Sequence, residues 1–148
     1  MLKKLFTTDD DAGLALIRIA LGVVMFPHGA QKVLGWFGGY GWSGTMGFFT
    51  GQMGIPALFA VLAILAEFLG SLGLITGLLG RVAAFGILSN MVVAVLMVHG
   101  KVGFFMNWAG TLQGEGFEYH ILAAAMALLI VWKGSGAYSV DRMIAVKG

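Results

Sequence analysis

Five side chains able to grip a polar ligand or handle a proton sit inside otherwise apolar runs. Arg18, His28, Gln31 and Lys32 lie within AGLALIRIALGVVMFPHGAQKVLGW, and Glu67 lies in the middle of IPALFAVLAILAEFLGSLGLITGLL. At about 100° per residue, Arg18 and Lys32 fall roughly 40° apart around a helix, with His28 in the same arc and Met25 and Gln31 close by. One face of that helix is therefore polar. Two cations, an imidazole and an amide opposite a carboxylate could hydrogen-bond a carbonyl and manage its proton. An ionisable group within hydrocarbon costs at least about 2.5 kcal/mol unless it is paired, hydrated or turned inward, so Glu67 is expected to find a cation. Arg18, His28 and Lys32 all stand open as its partner: arginine can reach along its stem, and His28 is nearer in height. Pro27 removes a backbone donor just before His28 and can kink the helix there.

The elements that must position these groups follow from composition. Of 148 residues, 59% are hydrophobic and only 11% charged, with a mean hydropathy of +0.91, whereas a soluble surface needs about a quarter charged residues. An all-α integral membrane protein is expected. A crossing takes roughly 20 apolar residues, so the chain reads as one domain over 1–148, a four-helix bundle with spans at about 12–36, 55–79, 81–98 and 117–132. Asp9, Asp10 and Asp11 supply helix-start acceptors for the first span. Gly22 and Gly29 would permit close approach of another helix. The turn near Gly80 and Arg81 is tight enough to make spans two and three an antiparallel hairpin. The segment 35–54, dense in glycine and aromatics, argues against a regular helix and suits the membrane interface. The segment 99–118 is a second such connection, and the tail KGSGAYSVDRMIAVKG could carry a short amphipathic piece.

Other polar residues carry less. Ser89 and Asn90 in span three, and His99, Glu118 and His120 near outer span ends, are expected to serve packing alone, because an interhelical asparagine and interface histidines need no ligand. No histidine has the spacing of a zinc or di-iron motif, so no metal site is expected. The absence of cysteine excludes disulfides, thiol chemistry, iron–sulfur clusters and covalent c-type haem attachment within this chain. GYGWSG at 39–44 matches a dinucleotide fingerprint formally but has no βαβ context. MLKKLFTTDDD does not read as a cleaved leader, since acidic residues follow the lysines. The basic residues are scattered among turns and termini, which is no footprint for nucleic acid. Lys3, Lys4, Arg81, Lys133, Arg142 and Lys147 fall on one side and Lys101 and Lys32 toward the other, so the positive-inside rule puts both termini in the cytoplasm.

The early arginine, the HGAQK run at 28–32, the glycine-rich aromatic loop, the second span with its central glutamate, the GLLGR turn and the tail GSGAYSVD together resemble the DoxX family of small four-helix bacterial membrane proteins. The likeness covers nearly the whole chain, departing at Ser135, where proline is common in the family's GPGxxSxD form. The resemblance implies a bacterial inner-membrane location and a redox neighbourhood: quinone-linked oxidoreductases, thiosulfate or quinol oxidation, or complexes handling oxidative stress. By matching position it carries over Arg18, His28, Gln31, Lys32, Glu67, Arg81 and Asp141.

Three readings follow. The first is an accessory or non-catalytic membrane subunit of an oxidoreductase system, with oxidoreductase subunits or further copies as partners. A quinone-like or other small amphipathic ligand would then sit between spans one and two, held by His28 or Gln31 and served by Glu67 with Arg18 or Lys32. The second is small-solute or proton transport, which with four spans would require an oligomer. The third is a scaffold whose polar residues only assemble helices, with Arg18 and Glu67 as a structural pair.

Overall fold

The computed structural model describes residues 3–147 and the side chains of 4–146. Met1, Leu2 and Gly148, with the side chains of Lys3 and Lys147, lie outside, so their part in the charge pattern is not among the described residues. Seven α-helices are present among the described residues and no strand. They are α1 (Lys3–Phe6), α2 (Ala12–Leu34), α3 (Gly41–Gly47), α4 (Ala57–Thr76), α5 (Gly80–Met97), α6 (Glu118–Lys133) and α7 (Val140–Lys147).

Helix α2 starts where Asp11 accepts the Leu14 N–H at 3.0 Å, continues through Pro27, and stops at Gly35, a left-handed cap that ends the span two residues short of the expected Trp36. Helices α2, α4 and α5, with 23, 20 and 18 residues, are long and apolar enough to cross a membrane. Helix α6 has 16 residues, about 24 Å of rise against a hydrocarbon layer of about 30 Å. It falls on the shortest of the four expected spans, 117–132.

The four long helices meet in cyclic order, α2 on α4, α4 on α5, α5 on α6 and α6 on α2. Leu21, Met25, Leu74, Ala84, Ile87, Met91, Ala123, Ala127 and Ile130 form the core between them. The outer faces are also apolar: Leu16, Leu58, Leu69, Leu96, Leu122 and Leu128 are all exposed. Apolar inside and outside, with charged groups confined to the interior and the ends, is the distribution a bilayer requires.

Helices α2 and α4 touch backbone to backbone. A Cβ on Gly29 would lie 2.6 Å from the Phe68 Cα and 2.8 Å from the Glu67 carbonyl carbon, and one on Gly22 would lie 3.0 Å from the Ile75 N. No larger residue fits at either position, so these contacts fix the antiparallel register: residue 29 stands level with 67–68, and residue 22 with 74–75.

The 35–54 connection differs from expectation. Helix α3 forms across its glycines and runs on into a wide turn at Phe48–Gln52, because packing against α2 offsets the roughly 1 kcal/mol that each glycine costs a helix. Residues 99–117 are irregular after a short turn at His99–Lys101. The tail does carry a helix, α7. Both terminal helices lie at one end of the bundle, where α1 packs on α7; the two long connections lie at the other, the loop end.

Candidate functional site

The polar residues separate into two groups. At the terminal end the residues are fastened to backbone. Arg18 is fully buried. Its Nε donates to the Ser135 carbonyl at 2.7 Å, Nη1 to the carbonyls of Leu74 and Ile75 (3.0 Å), and Nη2 to those of Ala137 (3.4 Å) and Tyr138 (3.1 Å). The guanidinium thus closes the carboxyl end of α4, where the helix dipole is negative, onto the 134–139 tail. Asp141 performs the opposite service at the amino end of α5: Oδ1 accepts the Leu79 N–H at 2.7 Å, and Oδ2 accepts the Gly80 N–H at 2.9 Å and the Ser135 hydroxyl at 2.5 Å. Arg81 caps α6 through the carbonyls of Val131 and Trp132 and also reaches Thr7.

At the loop end lies a chamber of about 350 Å³. Lys32 Nζ donates to Glu67 Oε2 at 2.5 Å, with side chains 23% and 11% exposed, and also to the His28 carbonyl at 3.4 Å. Asn90 donates to the Ala63 carbonyl at 2.8 Å and to Glu67 Oε1 at 3.4 Å. His28 lies on the wall facing Tyr119, ring centroids 6.3 Å apart. His99 and His120 stand 4.0 Å apart; His99 Nδ1 donates to the Glu115 carbonyl at 2.8 Å, while His120, 7% exposed, leaves Nδ1 buried without a partner. A buried polar atom left so costs about 1–3 kcal/mol. Five of the nine methionines line the chamber, namely Met25, Met53, Met91, Met97 and Met106, together with Phe48 and Phe49. These deformable and aromatic side chains suit a planar apolar body. No group of three or more His, Asp or Glu close enough to hold a metal ion occurs among the described residues.

Of the three partners open to Glu67, the structure pairs it with Lys32 and keeps Arg18 away. Arg18 lies roughly 16 Å of helix from Gly29, the α2 position level with Glu67, and Leu21, Met25 and Leu74, each almost wholly buried, occupy the space between. Lys32 pairs instead, because its stem folds back about one turn. Gln31 also leaves the expected site: its Nε2 donates to the Phe37 carbonyl at 3.2 Å, and it does not line the chamber. In the other direction, Asn90, His99 and His120, expected to serve packing alone, all border the chamber. One signal could have found the histidines. His99 just follows α5 and His120 opens α6, and consecutive antiparallel helices must bring such residues to the same level.

Gln31, Asp141 and Arg18 share a further duty. Phe37, Leu79 and Tyr138 are the non-glycine residues with left-handed backbone, each at φ 51, a conformation costing about 1–3 kcal/mol. Gln31 holds the Phe37 carbonyl, Asp141 the Leu79 N–H and Arg18 the Tyr138 carbonyl.

Comparison with known proteins adds a lineage to this geometry. The family model described as DoxX matches residues 13–100. The chain is 27% identical over 138 residues to "Inner membrane protein YqjF" of Escherichia coli strain K12, covering 93% of this chain and 96% of that protein. It is 25% identical over 134 residues to "Putative oxidoreductase CatD" of Bacillus subtilis strain 168, covering 90% and 88%. No solved structure matches the chain significantly.

Proposed function

This chain is a member of the DoxX family, and from that premise we propose that it is the membrane component of an oxidoreductase system, holding a carbonyl-bearing, quinone-like ligand in the chamber at its loop end. The observation that carries the reading is the chamber itself, in which His28, His99 and His120 border the Lys32–Glu67 pair. His28 and His120 supply hydrogen bonds to a ligand oxygen, and Glu67, balanced by Lys32, holds or receives the proton that accompanies reduction. The redox association is supported by the printed name of the Bacillus relative.

Location in a bacterial inner membrane is supported by the printed name of the Escherichia relative and by three apolar helices of spanning length. We read α6 as a short fourth crossing, which its exposed Ile121, Leu122 and Leu128 support. The termini are then cytoplasmic by the positive-inside rule, with Lys4, Arg81, Lys133 and Arg142 at their end. Transport is the weaker reading, since the apolar layer of Leu21, Met25 and Leu74 interrupts the polar face on which a path would depend.

Titration of the purified protein with a benzoquinone, followed by tryptophan quenching, tests the site. Saturable binding is expected, weakened about ten-fold by His120→Ala or His28→Ala and unchanged by Gln31→Ala. No saturable binding to the wild type would overturn the reading.

A further inference from the structure

The chamber has a neighbour across the α4–α5 wall. A second, larger cavity of about 1140 Å³ follows the outer side of the α4–α5 hairpin from Pro56 at the loop end to Leu79 at the terminal end. Ile55, Ala63, Asn90, Val93 and Met97 border both spaces. The groove exists because the two helices meet through small residues: a Cβ on Gly86 would stand 3.0 Å from the Ala66 Cβ, and one on Gly70 would stand 3.4 Å from the Ala83 carbonyl. Above this low seam, Phe59, Leu62 and Leu69 on α4 and Val82 and Phe85 on α5 rise as exposed apolar walls.

The geometry points to one occupant for both spaces: a neutral ring-headed lipid whose head lies in the chamber and whose hydrocarbon tail lies in the groove, entering sideways from the bilayer over Ile55, Val93 and Met97, which border both. This inference rests on the ligand reading above and specifies its substrate class. A volume of about 350 Å³ is near the lower limit for a small-molecule site, room for a ring and little more. The Lys32 charge is already matched by Glu67 at 2.5 Å, which leaves no surplus cation for a phosphate head and favours a neutral one. Along the groove the hydroxyls are spent on their own helices, Thr76 on the Leu72 carbonyl at 2.9 Å and Ser89 on the Phe85 carbonyl at 2.9 Å. The groove is thus apolar in effect, and polar capacity begins at Asn90, where it joins the chamber. A head-to-tail polarity gradient of that kind matches a ring on a prenyl or alkyl chain.

The test uses two probes in one detergent at fixed concentration: a benzoquinone carrying two isoprene units and the same ring without a tail. Ser89→Phe and Leu69→Trp fill the groove from exposed positions that do not line the chamber. Both variants are expected to lower the affinity of the tailed probe about ten-fold and to leave the tailless probe unchanged. A diazirine at the tail end should label α4 and α5. Tailless binding to the wild type with tailed affinity untouched by both fillers, or labelling confined to other helices, overturns the tail site while leaving the chamber reading intact. Binding of neither probe to the wild type brings down the chamber reading itself. A change of oligomeric mass in the fillers without a change in tailed affinity would identify the groove as a contact between copies and overturn the inference.

Discussion

Lys32 and Glu67 are each supportable in this environment because of the other. Removing either leaves a charge mostly withdrawn from water, whereas removing both leaves a modest gap among apolar neighbours. Lys32→Met or Glu67→Leu alone should therefore lower stability by about 3 kcal/mol, and the double variant should recover most of that loss, all read by thermal unfolding in a mild detergent. A double variant as unstable as the sum of the singles would show that the pair does not stand as a unit. That these residues are special was legible in the sequence, since ionisable groups in apolar runs announce themselves. Which of them meet was not. The partner of Glu67 depends on the α2–α4 register, which Gly22 and Gly29 set by contacts that neither residue's own helix reveals.

Among the elements, the tail between α6 and α7 acts as the joint of the molecule, for Arg18, Arg81 and Asp141 tie it and its neighbours to the ends of α4, α5 and α6. Five diverging carbonyls need the planar fork of a guanidinium, and an ammonium on a shorter stem cannot reach them together. Arg18→Lys should consequently cost nearly as much as Arg18→Ala, about 3 kcal/mol or more, while the benzoquinone affinity of the protein that remains folded stays at the wild-type value. A loss of affinity without a loss of stability would restore Arg18 to the site. The four long helices lie within a few residues of the apolar runs at 12–36, 55–79, 81–98 and 117–132. Helix α3 was not legible in this way, because glycine composition speaks for the isolated segment and its packing on α2 does not. The chamber histidines escaped for a similar reason: the residues that roof them, such as Met106 and Glu115, lie in an irregular connection with no period to read.

For the whole molecule, the separation of charges between its two ends makes a prediction about sidedness. The chain contains no cysteine, so single cysteines can report directly. Tyr138, 84% exposed, marks the terminal end, and Trp108, 88% exposed, marks the loop end. An impermeant maleimide applied to bacterial cells with a permeabilised outer membrane should label Trp108→Cys, and should label Tyr138→Cys only once the inner membrane is opened; the reverse pattern would invert the proposed orientation.

The reach of Arg18 also orders events during biosynthesis. Its helix leaves the ribosome ahead of its acceptors, which stand 56–57 and 117–120 residues further along the chain. Through most of translation the guanidinium has to be sheltered by water, lipid headgroups or the insertion machinery. It is satisfied only when the stretch around 135–138 docks. A nascent chain interrupted before that point would display a cation without its backbone acceptors, a signal by which membrane proteolysis could recognise it.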